Sequence, residues 1–273
     1  MPDFTVVRIE RNGHVAEVVL NNPERLNAMA PVFFEEIGAA FRELDHDPEI
    51  RAVVLWAEGK LFTAGLDLKA AAANLMSTDE SVSKGAAATA FFQLVRDWQD
   101  SFSTLERCRK PVITAVHGHC IGGGVDLCTA ADIRLCTSDA TFSIMETKIA
   151  MVADLGTLQR ITAIVGKGFA REMAYTGNRV TADRAHHFGL VNAVYESKEE
   201  LLEAARALAG EIAANSPLAV QGVKQVLHYS EDHPIQEGLD FVAHWNTSRI
   251  HTHDLMEAVM AFMEKREPEF KGE

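Results

Sequence analysis

Val112-Ile113-Thr114-Ala115-Val116-His117-Gly118-His119-Cys120-Ile121-Gly122-Gly123-Gly124-Val125-Asp126 carries an apolar run into a triple glycine and an acid. The run reads as a strand of a parallel sheet, where both faces are covered and alternation is lost. Three glycines ahead of a helix let backbone come close to a ligand with its N–H groups turned outward. Those donors sit at the positive end of the helix dipole and suit an oxyanion. A tight turn for helix–sheet packing explains the same glycines equally well. The stretch has neither Gly-Lys-Ser/Thr nor G-x-G-x-x-G, so a phosphate cradle is not supported.

Working outward, Ala52 to Ala57 and Ile133 to Cys136 are further apolar strands, separated from the first by helical segments. The longest of these runs from about Ala86 to Cys108, with Phe91, Val95, Trp98, Phe102 and Leu105 on one face. Strands alternating with helices predict crossover units and a mainly parallel α/β sheet. Upstream, Phe4 to Glu10 and Val15 to Leu20 read as a hairpin closed by Asn12-Gly13. Pro31 to Leu44 reads as a helix with proline in its first turn. From about Lys167 the chain reads almost wholly helical, and Ser216-Pro217 marks one helix start.

At 273 residues the chain is long enough for one large domain or two small ones. The 26 basic against 39 acidic residues give a formal charge of −13, which argues against a broad nucleic-acid footprint. No apolar run reaches the ~18–20 residues that would cross a bilayer. Cys108, Cys120, Cys128 and Cys136 form no C-x-x-C pair and are expected as small core hydrophobes of a reducing compartment. The ends show no targeting signal, and a cytoplasmic location is expected on that ground.

Two further stretches hold chemistry. A second glycine-bearing loop, Lys60-Leu61-Phe62-Thr63-Ala64-Gly65-Leu66-Asp67-Leu68, follows the strand at Ala52. Downstream, Glu146 and Asp154 each sit among apolar neighbours between Phe142 and Arg160. A carboxyl buried without a partner has a raised pKa and can carry protons near neutrality. The bland alternative is that Asp154 caps a helix beginning near Leu155 and Glu146 pairs with Lys148 or Arg160. Residues alone leave both open.

The loop F-T-A-G-L-D-L, then H-G-H-C-I-G-G-G-V-D-L, A-D-I-R, the acid Glu146 and G-T-L-Q-R resemble, in order and spacing, the crotonase (enoyl-CoA hydratase/isomerase) superfamily. The resemblance covers essentially the whole chain. It implies a crotonase-like (ClpP/crotonase) spiral of ββα units over residues 1–200 and a helical trimerisation region over residues 201–273. It implies an acyl-CoA substrate whose thioester oxygen lies between the N–H groups of Leu66 and Gly123. Coenzyme A would be held near Arg25, Ala28, Ala64, Asp67 and Leu68, with Lys265 or Lys271 as further candidates for its phosphates. Coenzyme A is part of the substrate and no separate cofactor is expected. Homotrimers or homohexamers are expected.

Within the superfamily the chain is most similar to the isomerases that convert 3,5-dienoyl-CoA to 2,4-dienoyl-CoA. Asp126, Glu146 and Asp154 carry that likeness, with A-D-L-G-T-L-Q-R, S-P-L-A-V-Q-G-V-K and L-D-F-V-A-H-W-N. That reaction moves a proton between C2 and C6, ends too far apart for one short side chain. Two acids, Glu146 and Asp154, would serve one end each, and Asp126 would be a third acid tuning the pair or orienting the chain. A hydratase is expected to carry glutamates at 126 and 146 and glycine at 154. A 3,2-enoyl isomerase needs one acid, leaving Asp154 surplus. Two departures stand out: Thr162 where proline is frequent, and Ala150 where glycine is.

His117 and His119 are read as loop packing, because no Cys/His/Asp group has metal-ligand spacing. A non-catalytic acyl-CoA-binding or RNA-binding protein of the same fold is the reading from another class. The negative charge opposes RNA, and retention of three acids opposes a dead enzyme.

Overall fold

The computed structural model describes residues 4–70 and 83–273. The strands are β1 (Val7–Asn12), β2 (Val15–Leu20), β3 (Ala52–Ala57), β4 (Val112–Val116), β5 (His119–Ile121), β6 (Ile133–Thr137), β7 (Thr141–Ser143), β8 (Val180–Thr181) and β9 (Ala193–Tyr195). The helices are α1 (Pro31–His46), α2 (Lys84–Arg107), α3 (Gly123–Thr129), α4 (Thr157–Val165), α5 (Lys167–Thr176), α6 (Ala182–His187), α7 (Lys198–Ala214), α8 (Pro217–Asp232), α9 (Ile235–Thr247) and α10 (His253–Glu264).

A six-stranded sheet has the order β1-β2-β3-β4-β6-β9 and a smaller one the order β5-β7-β8. Only β1–β2 and β7–β8 are antiparallel. Each of β4 and β6 hands the chain from the large sheet to a short strand of the small one and then to a helical segment. That is the expected ββα spiral. Side chains of the central strands alternate between two cores. Val53, Leu55, Val112 and Val116 face the main core, packed with α1 and the end of α2. Val54, Trp56, Ile113 and Ala115 face the second, closed by Leu201, Ala205 and Ala209 of α7. Glu17, buried in the sheet, accepts from Trp56 Nε1 at 2.6 Å and from Arg206 at 2.7 and 2.9 Å, tying α7 down.

Two expectations need correction. The hairpin turn is one residue later than Asn12-Gly13, because Asn12 pairs with Val15 and only Gly13 takes a positive φ, +57°. The region after Lys167 contains β8, α6 and β9, too short to leave a periodic trace. Residue 200 lies inside α7, whose apolar face belongs to the sheet. The helices standing off the sheet begin after Ala214. All four cysteines are buried and free, as expected. No described helix is long and apolar enough to cross a membrane.

Candidate active site

Two loops are stitched together beside the small sheet. Thr63 N–H donates to His119 O at 3.0 Å and Ile121 N–H to Thr63 O at 3.3 Å. Gly65 sits at φ +85°, and a Cβ there would lie 2.7 Å from Ile121 O, so no larger residue fits this approach. The first loop is pinned from its other side by the segment before α1. Ala64 N–H donates to Leu26 O, Met29 N–H to Gly65 O and Asp67 N–H to Met29 O. Leu66 N–H takes no part in these bonds. Among the described residues, neither Leu66 N–H nor Gly123 N–H has a backbone acceptor. Both residues line one apolar cavity of about 120 Å³, and Gly123 opens α3. Unpaired backbone N–H groups on the lining of one cavity are the kind of donor that holds a developing oxyanion.

Phe34, Phe91, Leu94, Val95 and Trp98 form one wall of this cavity, and Glu146, Ile149, Met151, Asp154 and Leu155 another. Phe34 and Trp98 stack at 4.3 Å. Glu146 begins a 3-10 turn, Glu146–Ile149, directly after β7. Its carboxylate lies next to Gly122: a Cβ on that glycine would come 3.0 Å from Glu146 Oε1. Oε2 is buried without a hydrogen-bond partner among the described residues. Burial, helped by the charges of Asp126 and Asp154, pushes the Glu146 carboxyl up to about 7. Burial also raises Asp154.

The bland pairings do not form. Lys148 Nζ goes to Asn178 Oδ1 at 3.0 Å, and Arg160 binds Glu106. Asp154 does not cap α4, whose preceding residue is Gly156. The free Thr157 N–H is taken instead by Asp126, at 2.6 Å. Asp126 is therefore placed differently from the other two acids. It is 1% exposed, sits in the first turn of α3 and does not line the cavity. Burial, with the Thr157 N–H opposing it and the Asp154 charge adding to it, brings its carboxyl to about 6. A role in contact with substrate is not supported. A role in fixing α3 to α4 and biasing Glu146 electrostatically is.

Of the residues expected near coenzyme A, Ala64 and Leu68 line the cavity, whereas Arg25, Ala28 and Asp67 stand outside it. Arg25 pairs with Asp67 at 3.0 Å across the two loops. Sequence reading missed Asn27. It is 3% exposed at φ +48°, and its side chain donates to Glu58 O and Leu61 O. Asn is among the few residues that tolerate this conformation, the one cue available. His117 and His119 bond Gly59 O and Thr141 Oγ1, as loop packing requires.

Ala150 closes the Glu146 turn at φ +59°, ψ +31°, which explains why glycine would be frequent there. Left-handed alanine is strained by ~1–2 kcal/mol, partly offset by the entropy glycine loses on folding. Ala150→Gly is expected to stabilise the protein by about 0.5–1 kcal/mol in urea unfolding. An unchanged or lower midpoint would contradict this.

The sequence profile described as enoyl-CoA hydratase/isomerase matches residues 10–273. The Delta(3,5)-Delta(2,4)-dienoyl-CoA isomerase, mitochondrial, of Dictyostelium discoideum is 48% identical over 271 residues, covering 98% of this chain and 92% of the relative. The peroxisomal protein of that name from Arabidopsis thaliana is 42% identical, covering 97% and 95%. Among solved structures, an enoyl-CoA hydratase from Bacillus anthracis superposes with a TM-score of 0.89 at 30% identity, covering 98% of this chain and all of that one. The compartments in these names correct the cytoplasmic expectation, which rested only on signals not seen.

Proposed function

The chain belongs to the enoyl-CoA hydratase/isomerase family, and we propose that its reaction is the conversion of 3,5-dienoyl-CoA to 2,4-dienoyl-CoA. One observation carries this: two carboxyls of raised pKa, Glu146 and Asp154, on the wall of the cavity that Leu66 and Gly123 also line. The thioester oxygen accepts both N–H groups. Removal of a C2 proton leaves a dienolate whose charge is shared between that oxygen, C2, C4 and C6. Each donor to such an oxyanion is worth about 3 kcal/mol. A proton delivered at C6 gives the 2,4-diene and restores the thioester.

Glu146, next to Gly122 and so beside the oxyanion hole, serves C2; Asp154 serves C6. The pair starts with one proton between them, held by Asp154 in the reactive arrangement. Glu146 takes the C2 proton and Asp154 releases its own, and passage of a proton from Glu146 back to Asp154 before the next turnover restores the starting state. A hydratase would need the acids at 126 and 146 to share a water. The bond from Thr157 N–H to Asp126, and the absence of Asp126 from the cavity wall, count against that. We also propose self-association through the C-terminal helices, where Ile235 and Phe262 are 84% and 85% exposed. Sedimentation showing a monomer would overturn it.

The test is direct. With 3,5-octadienoyl-CoA, conjugated 2,4-diene absorbance should grow; with crotonyl-CoA, enoyl absorbance should persist. Intact acyl-CoA binding without the first signal would favour a non-catalytic protein, and loss of the second a hydratase.

A further inference from the structure

The segment that carries Asp154 is held by side chains that never reach the substrate cavity. Gln99 Nε2 donates to Asp154 O at 2.6 Å. Arg160 Nη1 donates to Leu155 O at 3.4 Å. The Nη1 end of the guanidinium then abuts Gly156, which sits at φ +120°; a Cβ there would fall 1.8 Å from Nη1. Thr157 N–H goes to Asp126. Four successive residues, 154 to 157, are thus each fixed by a different contact.

Arg160 is itself held in place. Its Nε and Nη2 meet both Glu106 oxygens at 2.9 and 2.6 Å, and Nη2 reaches Ser103 Oγ at 3.4 Å. The Arg160 side chain is 14% exposed and Glu106 31%. A two-point fork of this kind fixes orientation as well as distance, which a lysine cannot do. Gln99, Ser103 and Glu106 follow i, i+4, i+7 on α2 and form one face of it. The adjoining face, with Phe91, Leu94, Val95 and Trp98, walls the substrate cavity. Gln99, Ser103, Glu106 and Arg160 line instead a large outer groove, which meets the cavity at Asp154 and Leu155.

We propose that the Glu106–Arg160 ion pair, with Gln99, positions Asp154 for proton delivery to the far end of the acyl chain. The pair has no contact with the cavity, so its effect must pass through the backbone of residues 154–157. It makes α2 a common reference for the apolar wall that shapes the chain and the acid that meets it. The proposal rests on the reading of Asp154 as the second proton carrier.

Because a misplacement of about 1 Å can cost ~100-fold, Arg160→Gln should lower kcat for dienoyl isomerisation by about 10–100-fold, with KM within about threefold. Glu106→Gln and Gln99→Leu should each give a smaller loss in the same direction. The Arg160→Gln/Glu106→Gln double variant should be little worse than Arg160→Gln alone, since both remove one device. The distinguishing readout is deuterium wash-in at C2 from D2O. That half-reaction uses Glu146, so it should persist near the wild-type rate in Arg160→Gln while isomerisation falls. A purely structural role would depress both equally, and that result, or full isomerisation by Arg160→Gln, overturns the proposal. If Arg160→Gln does not fold, Glu106→Gln and Gln99→Leu decide: parallel loss of wash-in and isomerisation, or no loss, overturns it. A wild-type protein that does not isomerise the dienoyl substrate would sink the functional reading instead.

Discussion

Asp154→Asn is expected to lower kcat for dienoyl isomerisation by about 10²–10⁴-fold, the usual worth of a positioned general acid, while acyl-CoA affinity changes no more than a few-fold. The substitution keeps the side chain's shape and removes only its exchangeable proton and charge. The contact holding Asp154 uses its backbone carbonyl, which accepts from Gln99, and no hydrogen bond to its carboxyl is found among the described residues. Fold and binding should therefore survive. Deuterium wash-in at C2 should continue, because the proposed mechanism assigns dienolate formation to Glu146 and the Leu66 and Gly123 N–H groups, which the substitution leaves in place. The signature is a split: exchange without conversion, read by mass spectrometry of recovered substrate beside diene absorbance. A variant that isomerises at the wild-type rate would remove Asp154 from the mechanism.

The fold was largely legible because its strands are buried on both faces. Ala52–Ala57 and Val112–Val116 read as continuous apolar runs for that reason. The glycine loops were legible as a pattern but not as a site. Nothing in Gly122-Gly123-Gly124 says that Gly65 must pass 2.7 Å from Ile121 O, because this contact joins segments over fifty residues apart. Glu146 and Asp154 could be singled out as acids in apolar surroundings, and the cavity places both on one wall. Asp126, expected to tune the pair or orient the chain, stands off the cavity lining while its charge raises Glu146. Its carboxylate is buried to hold the Thr157 N–H, and sequence cannot tell an acid buried for a backbone donor from one buried for substrate. Arg160 enters the sequence reading only as one of two partners, with Lys148, in the alternative pairing of Glu146. Its true partner, Glu106, lies on a helix whose rotation about its axis only packing fixes.

Glu146→Gln should lower kcat by about 10³–10⁴-fold, near the top of the range for a general base, and should also change how both activity and stability depend on pH. In the proposed mechanism the singly protonated pair is the active form. Its last proton leaves at about 7, so kcat/KM should fall as pH rises above that value. The variant should lack this limb. For stability, the Glu146 carboxyl is raised from 4.5 to about 7 on folding. Below pH 4.5 it is protonated in both states and costs nothing. Between 4.5 and 7 the unfolded chain gives up the proton while the folded chain keeps it, so stability declines as pH rises. Above 7 the decline is complete. At about 1.4 kcal/mol per pKa unit, reduced because solvent reaches part of the group, it amounts to roughly 1–3 kcal/mol. An amide at this position does not titrate, so the variant should gain on the wild type over that window. The gain should vanish below pH 4.5 and be constant above pH 7. Urea midpoints at three pH values measure it. Curves that stay parallel throughout would mean that Glu146 ionises freely in the folded protein, and a carboxyl that ionises freely has no reason to be buried beside Gly122 without a partner.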